Sequence, residues 1–380
     1  MNGAHVPAQR DTLAGIELLR FICACAVLLW HYQHFSYVAN QAHDFITARQ
    51  PFYGALALFY RYGLYGVQVF WCISGFIFSW KYGAAIAARQ VTPGRFFLLR
   101  FSRLYPLHAA TLLLVALLQG LYYAQHQYYF VYRDNSVGSF LLQLPLASHW
   151  LYPLTGFSFN GPIWSVSLEV LAYLFFYVYT RRLGTGLAAT AGAALVLGLL
   201  RHWSDWPVLE CLLYFYLGAL VALLYGPMAA WSAVRRHSLN VALAGLLAAL
   251  LLLPLYRTVD SNRLLLAATP LAIHLLLQWV RPRSAALNRL LSGLGNLTYS
   301  SYLLHFPLQI TLALACGALG RAVPLYAPGW LLGFLGLTML LAHGCYRYFE
   351  RPLQQALRRR YRNVGTVPTI EHVLGRGDVL

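Results

Sequence analysis

The sequence predicts an all-α, polytopic membrane protein of about ten transmembrane helices, with both termini cytoplasmic. Three observations predict it. The 380-residue chain is 59% hydrophobic and 10% charged, against about 25% charge in an ordinary soluble domain. Its apolar residues gather in runs of about 18 or more, the length that crosses a bilayer. Basic residues alternate between arginine-rich and arginine-poor loops along the whole chain.

The spans are expected at approximately 14–35, 62–80, 104–123, 162–180, 183–200, 207–225, 238–256, 263–280, 296–319 and 326–348. Loops on one side hold Arg10, then Lys81 to Arg103, Arg181 and Arg182, Arg235 and Arg236, Arg281 to Arg289, and the arginines from Arg347 to Arg376. Those on the other side hold only Arg49, Arg61, Arg133, Arg201, Arg257, Arg263 and Arg321. Basic loops stay in the cytoplasm, so the first side is the inner one. An even number of spans satisfies every loop. The first apolar run is too long for a cleavable leader, and polar His-Tyr-Gln-His follows it rather than a small-residue cleavage site. It therefore reads as the first helix of the mature protein.

Three regions are expected: a short cytoplasmic segment 1–13, a membrane domain 14–352 and a basic cytoplasmic tail 353–380. The RRRYR run of the tail suits anionic lipid headgroups. A net charge of +17 raises the question of nucleic acid, but its distribution follows membrane topology, so no nucleic-acid partner is expected. All six cysteines lie in apolar runs and form no CxxC pair, so they read as packing residues, not a disulfide framework. No cluster of metal-ligating residues is evident, and no metal is expected. The sequence shows no internal repeat.

Ionisable residues inside a span cost about 3 kcal/mol or more, so each needs a reason. Arg20 and His31 stand at either end of RFICACAVLLWH. Their spacing puts them on one helix face, about 16 Å apart along the axis. Arg20 lies near the cytoplasmic end and His31 in the outer half. A snorkelling anchor and an interfacial polar tip would explain them separately. The fourth span begins GPIWSVSLEVLAYLFFY. Counting down from an outer surface near Pro162 puts Glu169 about 10 Å deep, level with His31. A carboxylate and an imidazole at one depth are expected to hydrogen-bond, raising the basicity of the histidine and setting its tautomer. The alternative is a structural polar contact between helices. Trp164, Ser165 and Ser167 flank that carboxylate and are candidates to line a substrate site.

The ninth span reads NLTYSSYLLHFPLQI, with His305 near mid-membrane. Pro307 removes a backbone hydrogen bond just beyond it. The hydroxyls of Thr298, Tyr299, Ser300, Ser301 and Tyr302 either line a polar cavity or bond back to their own helix. Arg100 and Arg103, ahead of the third span, are three apart and share a face. Paired guanidiniums suit phosphate. Positive-inside topology accounts for arginines there, but not for that spacing. Ser74 and Gly75 in the second span allow close backbone approach. The outer segments are roughly 36–61 and 124–161. The latter is rich in Tyr, Gln, His and Trp, which suits either an interfacial belt or sugar stacking.

Together these motifs resemble acyltransferase family 3, a family of integral membrane acyltransferases. They are Arg20 to His31 in the first span, SGF in the second, Arg100 and Arg103 before the third, WSVSLE in the fourth, TYSSYLLHFP in the ninth and FERP at 349–352. The resemblance spans residues 15 to 352. It departs from the family pattern at Val166, where leucine is usual. No esterase-like domain follows the last span, so an acyl group must reach its acceptor directly or through a separate protein.

The resemblance implies transfer of an acyl group, most simply acetyl from cytoplasmic acetyl-CoA, to a hydroxyl of an extracytoplasmic or lipid-linked carbohydrate. It places this O-acetyltransferase activity in a bacterial inner membrane, among membrane lipids and beside a glycan-biosynthesis complex. Arg20, Arg100 and Arg103 would hold the donor's phosphates while its pantetheine arm threads toward His31. His31 would be the general base, with Glu169 orienting it. Ser165, Ser167, Tyr302 or His305 would donate to the oxyanion. A covalent acyl-histidine or acyl-serine intermediate is equally open. The competing reading is a transporter or flippase of an anionic glycan precursor, although secondary transporters often carry duplicated halves. A third is a non-enzymatic scaffold for a polysaccharide synthase. Succinyl can replace acetyl, and the sugar stays open.

Overall fold

A computed structural model describes residues 13–228, 230–256, 258–280, 282 and 284–364. The expected N-terminal segment, most of the tail, and Arg257, Arg281 and Arg283 lie outside the described residues. The helices in chain order are α1 Ala14–His31, α2 Tyr53–Tyr62, α3 Gly66–Phe78, α4 Ala84–Ala87, α5 Pro93–His126, α6 Val137–Gln143 and α7 Trp164–Leu183. They continue with α8 Leu187–Trp203, α9 Pro207–Met228, α10 Ala233–Leu252, α11 Ser261–Trp279, α12 Ala285–Ala318, α13 Pro328–Cys345 and α14 Arg351–Val364. Among the described residues, strand is confined to a small antiparallel hairpin, Tyr37–Val38 with Gln41–Ala42.

The protein is thus all-α, and every expected span falls on a helix. Among the described residues, seven helical stretches are long and apolar enough to cross a membrane: Ala14–Ser36, Tyr53–Ala87, Pro93–His126, Gly161–Leu183, Pro207–Met228, Ala285–Ala318 and Pro328–Arg360. The apolar α8 is shorter. Two helices begin well ahead of their apolar runs. α5 begins at Pro93, where the Thr92 hydroxyl accepts the Arg95 N–H and proline takes the first turn. α12 begins at Ala285, with the Ser284 hydroxyl accepting the Leu287 N–H. Arg100 and Arg103 therefore sit inside a continuous helix, and both are buried.

Backbone approach sets the closest packing. α3 meets α9 where Gly75 and Gly218 face each other's helix. A Cβ on Gly75 would lie 1.7 Å from the Phe215 carbonyl oxygen, and one on Gly218 would lie 1.8 Å from that of Cys72. The close approach expected around Ser74 and Gly75 is thus a contact with α9. α1 packs on α12, α3, α2 and α11, and α12 packs in turn on α5 and α13. The largest apolar cluster, which includes Trp71, Phe78, Phe96, Tyr173 and Phe215, fills the space among α3, α5, α7 and α9.

One backbone vacancy positions the site. Pro307 has no N–H to offer the Leu303 carbonyl four residues earlier. The Asn160 side-chain amide donates to that carbonyl instead, at 3.2 Å. Asn160 is fully buried, as is the 3₁₀ turn Gly161–Ile163 that follows it. The Tyr302 hydroxyl then donates to the Pro162 carbonyl at 2.6 Å. The first turn of α7 is pinned beside the middle of α12, inside the bundle rather than at its outer surface.

Candidate active site

A cavity of about 120 Å³ lies among α1, α3, α5, α7 and α12. Arg20, Arg100 and Arg103 all line it, as do Glu169, Ser165 and Tyr302. Residues 165, 166, 169 and 173 of α7 face it, the one-face spacing of a helix. Ser74 of α3 donates to the Glu169 carboxylate, and the Tyr173 hydroxyl donates to the same oxygen at 2.6 Å.

Each arginine has a different environment. Arg20 pairs with Glu17 at 2.9 Å and donates to the Thr298 hydroxyl at 3.0 Å. Arg103 pairs with Glu350 at 2.9 Å, and the Ser300 hydroxyl donates to the other oxygen of that carboxylate. Arg100 donates to the Tyr82 hydroxyl at 2.6 Å. Two π-helical turns, Ser79–Gly83 and Tyr346–Glu350, supply the partners of Arg100 and Arg103. Such turns are rare and often mark functional sites, because the extra residue redirects a side chain. Buried guanidinium nitrogens remain without a partner, Nε of Arg100 and Nη2 of Arg103. They are donors held ready for an anion.

A second polar tier lies further along α1 and α12. The His31 and His305 rings are 4.8 Å apart between centroids, and His34 stands 4.8 Å from His31. All three are buried, and both ring nitrogens of His305 lack a hydrogen-bond partner. Gln309 donates to the His31 carbonyl at 2.9 Å, holding α1 and α12 together at this level. Tyr302, one turn below His305, separates the tiers: it lines the cavity on one side and lies 5.9 Å from the His305 ring on the other.

The expected hydrogen bond between Glu169 and His31 is not formed. A depth count from the membrane surface misplaces α7, because the Asn160 and Tyr302 contacts tie its start to the middle of α12. Glu169 therefore falls level with the arginines. Ser167 is also displaced from the cavity. It lies about 200° around α7 from Ser165, where its hydroxyl accepts the His149 N–H and its carbonyl accepts the Trp150 indole. Trp164 packs against Trp71, His149 and Phe157 at the outer edge. Burial pushes the His149 imidazole down to about 4.

Both readings of the ninth-span hydroxyls apply. Thr298, Tyr299 and Tyr302 line the cavity, while Thr298 and Ser301 also bond back to carbonyls of their own helix. Four residues of the site were missed in the sequence. Glu17 sits three before Arg20, an ion-pair spacing. His34 sits three beyond His31 and Gln309 four beyond His305, both same-face spacings. Glu350 lies within FERP, where sequence alone gives no partner. Among the described residues, no group of three or more metal-ligating side chains is placed to hold an ion.

The fold and this site define an integral membrane protein with a buried, arginine-lined cavity beneath a histidine cluster. The model of the acyltransferase 3 family, an acyltransferase domain, matches residues 13–346, nearly the whole chain, and the protein belongs to that family of membrane acyltransferases. Neither a curated protein nor a solved structure gives a match.

Proposed function

We propose that the protein transfers an acyl group, acetyl in the first instance, from a cytoplasmic CoA thioester to a hydroxyl of an extracytoplasmic or lipid-linked carbohydrate. The setting is a bacterial inner membrane, crossed ten times with both termini inside. The observation that carries this reading is the stacking of two tiers along α1. Arg20 marks a cavity with spare guanidinium donors, and His31 marks a buried imidazole cluster about 16 Å further out.

The division suits a donor made inside and an acceptor found outside. The arginines hold the donor phosphates, and its arm carries the thioester past Tyr302 to His31. His31 takes the proton of the acceptor hydroxyl as that oxygen attacks the thioester carbonyl. The carbon–sulfur bond breaks, and the thiolate leaves and is protonated to free CoA. His305, whose ring nitrogens have no hydrogen-bond partner, donates to the carbonyl oxygen during attack. Glu169 acts here within the donor cavity, balancing the arginines, and His305 takes over as the neighbour of His31.

The test compares O-acyl content of surface and secreted glycan in a deletion strain carrying wild type, His31→Ala or an empty vector. Acylation restored by wild type alone supports the reading. Equal acylation in all three, with expression confirmed, overturns a glycan acceptor. Membranes that move a glycan precursor without releasing CoA would favour transport instead.

A further inference from the structure

The transfer step uses His31 and His305 of the second tier and leaves His34 without a task. The backbone sets the place of His34. α1 ends at His31, and the chain tightens into a 3₁₀ turn over Tyr32–Ser36. With three residues per turn, side chains three apart eclipse one another. His34 therefore stands beside His31, their ring centroids 4.8 Å apart. In a continued α-helix the two side chains would diverge by about 60°.

Three aromatic rings hold His34 in that position. Trp30, Tyr132 and Phe306 meet it edge to face, with centroids 5.8, 6.0 and 6.1 Å away. His34 is 3% exposed, and its Nδ1 is buried without a hydrogen-bond partner. Buried polar atoms are nearly always paired, so this one points to a polar group that comes from outside the chain.

The chemistry of the cluster narrows what that group is. Among the described residues, no carboxylate lies within 4.0 Å of His31, His34 or His305, so the cluster is not built around an ion pair. A neutral imidazole offers one donor and one acceptor, and so does a hydroxyl. One imidazole, His31, serves the hydroxyl that attacks. The next imidazole on the same face is left for a second hydroxyl. We infer that His34 is a positioning residue that holds the hydroxyl adjacent to the one His31 deprotonates. On the transfer reading above, the acceptor is then a vicinal diol of a carbohydrate, esterified at one of its two neighbouring hydroxyls. An acceptor without the second hydroxyl leaves the His34 imidazole buried and unpaired, which is how such a site discriminates.

The experiment uses full-length protein in nanodiscs, acetyl-CoA, and the unacylated surface glycan of the deletion strain. Nuclear magnetic resonance of the product is expected to place the new ester beside a free hydroxyl on an adjacent carbon. His34→Phe keeps a ring but no hydrogen-bonding group, and should raise KM for the glycan about tenfold with kcat within about threefold. His34→Gln restores a donor and an acceptor and should keep KM within about threefold of wild type. CoA affinity and the pH profile of kcat stay those of wild type in both. An ester with no free hydroxyl on either adjacent carbon overturns the inference, as does an unchanged KM in His34→Phe. Equal loss in both variants assigns His34 to packing, and a shifted pH profile assigns it to proton transfer; each overturns the positioning role. If neither variant folds, the position of the ester in the wild-type product decides. Failure of wild type to acylate the glycan at all overturns the acceptor reading itself, so the two failures are distinct.

Discussion

Asn160 donates its side-chain amide to the Leu303 carbonyl at 3.2 Å, the carbonyl that Pro307 leaves without a helical partner. This bond couples a helix-breaking residue on α12 to the starting point of α7. It decides which residues of α7 reach the arginine tier.

Asn160→Ala leaves a buried carbonyl unsatisfied and is expected to cost about 1–3 kcal/mol. Pro307→Ala restores the N–H that Leu303 lacks, so the double variant should be more stable than the sum of the single losses by about 1 kcal/mol. Thermal unfolding of the purified protein in detergent measures the cycle. Strict additivity would show that the two residues act independently.

Glu350 and Arg103 make the second prediction. Both are buried, and removing one partner of a buried ion pair strands the other charge, at a cost of about 3–5 kcal/mol. Glu350→Gln should lower thermal stability sharply and abolish transfer. Glu350→Leu combined with Arg103→Met removes both charges and should recover much of the stability without restoring activity. A double variant as unstable as Glu350→Gln would show that packing, not charge, sets the loss.

These two cases also show what the sequence could and could not carry. Seven of the ten expected spans fall on helices long and apolar enough to cross a membrane, because an apolar run of bilayer length has few alternatives; Arg100 and Arg103 are legible because guanidiniums three residues apart suit phosphate, and Arg20 through the family resemblance. All three do meet in one cavity. Depth is not legible in the sequence. A count from the membrane surface misplaces Glu169, because α7 starts inside the bundle, held by a side-chain bond between residues 160 and 303. No periodicity encodes such a contact. The Glu350 partnership was hidden for the same reason, since a π-helical turn aims that carboxylate across about 250 residues of sequence to Arg103.

His31 should be separable from donor binding, because the arginines lie on the other side of Tyr302. His31→Asn is expected to lower transfer by about 10²–10⁴-fold while leaving CoA affinity unchanged. Gln309→Leu, which removes the donor to the His31 carbonyl, should lower transfer less. Equilibrium binding beside a single-turnover assay checks this. Parallel loss of binding and transfer in His31→Asn would mean that the histidine holds the bundle together rather than serving the reaction.

His149 carries the pH prediction. Its ring is buried between Phe157 and Trp164, and burial lowers its pKa from 6.5 to about 4. Below pH 6.5 the unfolded segment binds a proton that the folded segment refuses until about pH 4. Stability is therefore full above 6.5, falls as the pH drops through that window, and levels off below it. The loss should reach about 2 kcal/mol by pH 5. Hydrogen exchange of residues 148–160, normalised to its intrinsic rate, which itself slows toward acid, should gain an excess between pH 7 and pH 5, and His149→Gln should remove the excess. An excess of equal size in His149→Gln would assign the acid sensitivity to another group. Because the His149 N–H and the Trp150 indole are both fastened to Ser167 of α7, loosening this segment exposes the outer side of that helix. Acid should then slow transfer reversibly, with CoA binding in the deeper cavity unaffected.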